Sequence, residues 1–486
     1  MKRRISRIGL ITILMLLILS INVSAISEIP YQAYNYDYWG NVYYTPAAYV
    51  PAGNITGEAL GIGNLRNPQD LFVGEDGKVY IADTENNRII VLNDKLKLEK
   101  IIDSFDNNST PDSFKNPTGV FVTRNHELYI ADTNNLRVVA LNPDGSLKRI
   151  IKDPKSEILD DNFVFAPLKV AVDYADRVFV VAKNMFQGIM AFDEMGNFTG
   201  FTGTIKVTIS LTEKIWRRLS TRSQRSRQLQ YIPTEFTNLD IAPDGFIYAT
   251  NVDTEAQQSI RRLNPKGQDV IKKQKDGTLS GDLYWRRGRE YSGPSRIVDI
   301  TYRGNGIYTV LDSVRGRIFT YDHEGNLLYI FGGMGTQEGT FRRPVAIDVK
   351  DDKLIVLDAY LGEIVTFSAT RYGQLIDEAV SLRFSGDEAS AVKRWEEVLK
   401  MDSNCELAYS GIGKSYLAAG ENKKAMEYLL LGMDKEYYSI AFKRYRDEIL
   451  KENLGYVFTG ILIIVIALMV RSVLRRTKRK GATASE

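Results

Sequence analysis

Two carboxylate and guanidinium pairs stand at the same spacing in this chain, Asp83 with Arg88 and Asp132 with Arg137, five residues apart in each case. Such a pair either lines a polar ligand site or braces a loop through charge-assisted hydrogen bonds, and repetition in the same place favours the brace. A second chemistry-bearing set is cationic and aromatic. Residues 204–232 hold Trp216, Arg217, Arg218, Arg222 and Arg225 with Lys206, Lys214 and Arg227, a net charge of +6 after Glu213 is counted. Residues 274–293 hold Tyr284, Trp285, Arg286 and Arg287. Guanidinium forks meet carboxylates and phosphates with two bonds at once, and aromatic faces stack on sugar rings, so these nine aromatic and Arg residues form the candidate ligand- or partner-binding set. A plainer alternative exists for the first group: Ser210-Leu211-Thr212-Glu213 is a capping box and Leu211, Ile215 and Leu219 share one helical stripe, as in a solvated helix packed on the fold. Contact of that basic helix with anionic lipid is a third reading.

Catalytic chemistry has less to work with. The chain has two His, His126 and His323, both in turn sequences expected on an exposed hairpin face, whereas catalytic zinc takes several converging His ligands. No nucleophile elbow and no phosphate-cradling Gly-rich loop is present, and Gly332-Gly333-Met334-Gly335 reads as a turn. Asp and Asn are plentiful enough for a calcium site, with no spacing that singles one out. We therefore expect no resident cofactor, with Ca2+ reserved for an enzyme alternative.

The elements that position these residues come from a repeat. Asn67 to Asn93 recurs as Asn116 to Asn142 at an offset of forty-nine residues, each copy opening on Asn-Pro and alternating apolar and polar residues up to Tyr-Ile-Ala-Asp-Thr. Strand-rich units of that period are propeller blades, whose apolar faces are buried only by stacking in a ring. Starts at Pro68, Pro117, Pro167, Pro233, Pro294 and Pro344 make six, with turn residues such as Glu75-Asp76-Gly77 between antiparallel strands. After Phe367 the pattern turns helical, so residues near Ala48 to Pro51 are expected to supply the last blade's outer strand and close the ring. A Tyr-rich run (Tyr31, Tyr34, Tyr36, Tyr38, Trp39, Tyr43, Tyr44, Tyr49) leads into that strand and is expected to dock along the propeller wall.

The unit NPxxxxV…VYIADTxNNRI resembles the NHL repeat over roughly Ala47 to Phe367, which implies a six-bladed propeller. The pattern is clearest in blades one and two and is kept in blade five by Asp312 and Arg317, while blade six has Glu363 in place of the Arg. Some six-bladed relatives are metal-dependent lyases or lactonases. From Arg371 a second repeat appears, with Gly386, Ala391 and Trp395 matched by Gly420, Ala425 and Leu429 at an offset of thirty-four, which resembles the tetratricopeptide repeat. That pair either binds a peptide or spaces the ring from a membrane.

Both ends read as membrane signals. Lys2, Arg3, Arg4 and Arg7 precede an apolar run ending at Val23-Ser24-Ala25, a signal peptide cleaved near Ile26. Leu454 to Val470 is uncharged and followed by Arg471, Arg475 and Arg476, so the tail is expected in the cytoplasm and all before it outside. With these signals removed, residues 26–470 sum to a charge of −6, which argues against nucleic acid as a partner. One Cys, Cys405, excludes a disulfide framework and suits a bacterial envelope protein.

The expected organisation is therefore a signal peptide (1–25), a Tyr-rich segment (26–46), a mainly β six-bladed propeller (47–370) with insertions 204–232 and 274–293, a small α-helical repeat domain (371–452), a transmembrane helix (454–474) and a basic tail (475–486). This describes a single-pass, type I extracellular binding or scaffold protein of the cell membrane, engaging a protein or an anionic glycan. Bacterial proteins of similar design suggest a transport system nearby. The alternative is an extracellular divalent-metal-dependent hydrolase or lactonase.

Overall fold

In the computed structural model, residues 29–159, 162–204, 235–253, 258–272, 280–283 and 293–482 are described. Six antiparallel sheets follow one another along the chain, each starting from an inner strand: Asp70–Val73, Pro117–Val122, Pro167–Val172, Phe236–Ile241, Ile297–Gly304 and Pro344–Lys350. Adjacent inner strands pack around the ring, and the last packs back on the first. The architecture is a six-bladed β-propeller followed by five helices.

Each blade is a meander because short turns join its strands. In the first, Gly77 takes φ +75°, a conformation available to glycine without strain, and closes the hairpin with a bond from its N–H to Gly74 O. The middle strands, Val79–Asp83 in blade one and Leu128–Asp132 in blade two, are buried along their whole length because both faces meet other sheets.

The ring closes as expected. Strand β3 (Tyr49–Thr56) pairs antiparallel with Glu363–Ala369, placing Tyr49 opposite Ala369 and Thr56 opposite Glu363. The amino-terminal segment thus completes blade six and leaves no open seam. The Tyr-rich run forms β1 (Tyr34–Tyr36) and β2 (Val42–Tyr44), which add to the outer strand of blade five, Leu327–Phe331, to make a six-stranded sheet. Blade four has three strands among the described residues, continued by a single bridge between Leu263 and Asp269.

The Asp and Arg pairs are braces. Asp132 is fully buried; its carboxylate accepts from Lys115 N at 2.7 Å, Asn135 Nδ2 at 2.9 Å and Arg137 Nε at 2.8 Å. Asp83 repeats the arrangement with Arg66 N, Asn86 Nδ2 and Arg88 Nε. Each carboxylate ties the loop leading into a blade to the turn between that blade's middle strands. Asp132→Ala is expected to cost about 2–3 kcal/mol, since it leaves the part-buried Lys115 N–H and one guanidinium contact unpaired; urea unfolding of the full chain measures it, and a loss under 0.5 kcal/mol would refute the brace.

Blade five departs from the expected pattern. Arg317 donates to Gln32 O and Gly332 O, and Arg315, 3.5 Å away, is the residue that faces Asp312. The amino-terminal segment alongside this blade draws Arg317 outward, which no local spacing records.

Helices α1 (Arg371–Phe384), α2 (Glu388–Met401), α3 (Glu406–Ala418) and α4 (Asn422–Leu431) form antiparallel pairs, and α5 (Lys435–Ala482) continues from them. Thr370 caps α1 by accepting from Gly373 N, and Asp387 caps α2 by accepting from Ser390 N. Ala391, Trp395, Ala425 and Leu429, the residues in register at thirty-four, are all buried between helices. At Gly413 a Cβ would stand 2.5 Å from Leu429 Cγ, so the close approach of α3 and α4 requires glycine.

Candidate binding face, channel and neck

Chain direction sorts the loops into two faces. The turns that join the first to the second and the third to the fourth strand of each blade lie on one end of the ring; the turns between the two middle strands lie on the other, together with the connections that lead into each inner strand. The helical neck sits against the hairpin face. Glu324, at the tip of a blade-five hairpin, receives Lys414 Nζ at 2.8 Å and Arg383 Nη2 at 3.2 Å, with Tyr437 OH at 3.3 Å. Burial alone would raise the Glu324 pKa, but Lys414 and Arg383 outweigh it and hold the carboxyl at about 2. Tyr437 lies in the first turn of α5, so the hairpin touches the root of the helix that continues for 48 residues.

His323 corrects the sequence reading. It was expected to be exposed, yet its ring packs edge-on against Phe384 of α1 at 5.1 Å, and burial lowers its pKa. The neck covers this hairpin, a contact visible only once the helices are placed. His126 stands on its hairpin with its side chain 54% exposed, 3.7 Å from Asp76.

The nine candidate residues, Trp216, Arg217, Arg218, Arg222, Arg225, Tyr284, Trp285, Arg286 and Arg287, lie outside the described residues, in 205–234 and 284–292. Their flanks are described. Thr204 ends blade three and Glu235 opens blade four, which places the first insertion's anchors on the connection face. At the second, Asp282 accepts from Tyr34 OH at 3.1 Å and also from Tyr36 OH, while Ser295 Oγ accepts from Asp282 N at 2.9 Å. The Tyr-rich strand therefore clamps the described core of the second insertion, a role that sequence spacing could not reveal across some 248 residues.

Inner-strand carboxylates crowd the channel. Asp70 accepts from Val120 N at 2.8 Å, Asp240 from Tyr302 N at 2.8 Å, Asp299 from Ile347 N at 2.6 Å and Asp348 from Val73 N at 2.7 Å. Each bond crosses from one blade to the next. Lys169 pairs with Asp70 and also donates to Gln69 O at 2.8 Å, and Asn238 donates to Asp299. These carboxylates thus act as clasps across blade seams. Among the described residues, no group of three or more His, Cys, Asp or Glu is arranged to hold a metal ion.

Burial, reinforced by the nearby Asp240 carboxylate, pushes Asp348 up to about 7; the residue is half-buried, which moderates the energetic consequence. The folded state therefore keeps a proton at Asp348 between about pH 4 and 7 that the unfolded chain has released, so this group's contribution falls as pH rises through that window. Asp348→Asn is expected to flatten the loss by about 1–2 kcal/mol between pH 5 and 8. Parallel pH profiles of unfolding for the two proteins would contradict this.

A family model described as NHL repeat matches residues 65–92, the first blade. No curated protein matches the chain. Among solved structures, the chain is similar to a streptogramin B lyase (12% identity over 69% of this chain and 86% of that one, TM-score 0.38). It is also similar to a catalytically inactive virginiamycin B lyase from Staphylococcus aureus with quinupristin (13% identity, 71% and 97% coverage, TM-score 0.41). A third is a protein of unknown function from Bacteroides thetaiotaomicron (14% identity, 63% and 70% coverage, TM-score 0.40). Likeness at this level carries no argument about activity. What the chain's own geometry defines is an NHL-repeat-bearing six-bladed propeller with a helical domain and, among the described residues, one carboxy-terminal helix long and apolar enough to cross a membrane, its most apolar stretch having a mean hydropathy of 2.6.

Proposed function

We propose that this is a membrane-anchored extracellular binding or scaffold protein of the bacterial envelope, whose propeller presents its connection face to an anionic glycan and whose neck holds the ring above the bilayer. The observation that carries the reading is the position of the neck: Glu324 is seated between Lys414, Arg383 and Tyr437 on the hairpin face, at the root of α5. The opposite face, which bears the anchors of the first insertion, is thereby left to a ligand. The tetratricopeptide-like pair acts in this reading as a spacer and dock, because its surface already takes up the blade-five hairpin. Orientation follows from the basic residues after Val470, and a neighbouring transport system or other membrane protein is a natural partner for α5.

The charge of the first insertion provides the test. Combined Arg217→Ser, Arg218→Ser and Arg222→Ser substitutions are expected to reduce retention on an immobilised anionic glycan at least tenfold, with a weaker salt dependence. Retention equal to the unaltered protein would defeat the assignment of the insertion, and loss of binding to anionic liposomes alone would move it to lipid.

A further inference from the structure

The connection face carries a second cationic feature, outside both insertions. Blades five, six, one and two each present a basic residue where the connection enters the blade: Arg296 just before Ile297, Arg342 and Arg343 just before Pro344, Arg66 two residues before Pro68 and Lys115 two residues before Pro117, all exposed. Blades three and four have Ala166 and Glu235 immediately before theirs. Because these positions start the inner strands, they surround the axis, and the basic residues occupy a continuous crescent of the ring. Arg343 crosses a seam to Asn67 Oδ1 at 2.6 Å, and Arg342 lies 5.8 Å above the exposed ring of Tyr360.

Where the crescent ends there is a cleft. A cavity of about 310 Å³ opens at the seam of blades two and three, lined by Asn134, Leu136, Val164, Ala166, Lys183 and Asn184 with Thr133. That volume is at the lower end of what small-ligand sites occupy and is enough for a single sugar unit. Its wall is unusual in one respect. Leu136 takes φ +55° and is 42% exposed, whereas blade one places Asn87 at the equivalent turn position with φ +54°. Asn tolerates the left-handed region; a branched apolar side chain there is strained and, exposed, gains little from burial. Val164, at 57% exposure, adds to the same apolar wall. Asn134 donates its amide to Asn116 Oδ1 at 2.7 Å, which leaves its carbonyl oxygen as an acceptor in the cleft.

We infer that the cleft seats one carboxylated sugar unit of an anionic glycan and that the crescent of Arg66, Lys115, Arg296 and Arg342 holds the units beyond it. Lys183 meets the carboxylate, Asn134 and Asn184 meet hydroxyls, and Leu136 with Val164 takes the apolar face of the ring. A single ammonium beside amides and an apolar wall fits a sugar acid better than a phosphate, which would call for several converging donors. The spread of charge over four blades fits a polymer instead of a small anion. The inference deepens the proposed function and rests on its anionic-glycan reading.

The test uses the full chain in detergent micelles, with polygalacturonate as the probe, inorganic polyphosphate as its competitor and neutral dextran as the control. Unaltered protein is expected to be retained on polygalacturonate, released by salt and unaffected by dextran. Lys183→Gln is expected to weaken retention at least tenfold. Leu136→Asn, which places at this turn the residue found in blade one, is expected to keep or raise the melting temperature while weakening retention at least threefold, which separates ligand contact from folding. Arg66→Gln with Lys115→Gln and Arg342→Gln is expected to lower the salt dependence. If Lys183→Gln and Leu136→Asn bind as the unaltered chain does while the Arg217, Arg218 and Arg222 variant does not, the cleft is overturned and the proposed function stands. Polyphosphate displacing the glycan at equal charge, together with unchanged retention of the Leu136→Asn protein, overturns the sugar assignment; no retention of the unaltered protein overturns both readings.

Discussion

Tyr49→Ala is expected to lower the unfolding free energy by about 4 kcal/mol, the upper part of the range for removing a large buried ring. Tyr49 begins β3, the strand that closes the propeller, and is 1% exposed. Its ring stacks on Phe331 at 4.9 Å, its hydroxyl accepts from Arg303 Nη2 at 2.6 Å, and its carbonyl accepts from Tyr31 OH at 2.7 Å. Arg303 also reaches Asp377 of α1 at 2.6 Å, so one side chain joins blade five, the closing strand and the neck. Tyr49→Phe removes only the hydroxyl and is expected to cost about 1–2 kcal/mol, because Arg303 keeps Asp377 and Tyr329. Urea unfolding measures both. A Tyr49→Ala protein within 1 kcal/mol of the unaltered chain would mean that the ring does not depend on this closure.

Glu324→Ala should have the next largest effect, about 3 kcal/mol, because it takes the nearest carboxylate from two cations packed against the hairpin and leaves each with a longer contact, Lys414 to Asp434 and Arg383 to Glu388. Lys414 and Arg383 are 7% and 19% exposed at their side chains. Lys414 keeps a weaker partner in Asp434 at 3.4 Å, which limits the loss. A double-mutant cycle with Lys414→Ala is expected to show coupling above 1 kcal/mol. Limited proteolysis in the turn between α1 and α2 should become faster in Glu324→Ala. The pH dependence has a definite sign: with the folded pKa depressed to about 2, this stabilisation is present above the ordinary carboxylate range near 4.5 and is lost as pH falls towards 2. Additive single mutants and unchanged proteolysis would mean the neck is not held by this hairpin.

Much of the architecture was legible because it is repetitive. A forty-nine-residue offset reports blades, and a change from alternating to helical periodicity after Phe367 reports that the last blade needs a strand from elsewhere. The closing strand β3 follows from that missing partner. What could not be read depends on contacts between distant segments. Arg317 stands at the expected spacing from Asp312, yet the neighbouring strand β1 redirects it to Gln32 and Gly332. His323 looks like a turn residue until Phe384 covers it. Asp282 is one Asp among many until two Tyr hydroxyls from the amino-terminal strand converge on it. The cleft at Leu136 gives a fainter signal, a Leu in blade two where blade one has Asn87, which alignment of the two repeats displays but does not explain.

The central claim is a closed ring held outside the lipid by α5, and it is tested most directly by accessibility in intact cells. Cys405 is buried, so a membrane-impermeant maleimide finds little to label in the unaltered chain. Ser146→Cys, on an exposed blade-two hairpin, is expected to label without lysis, and Ser485→Cys, in the basic tail, only after it. Labelling of the tail but not of the hairpin in intact cells would contradict the account.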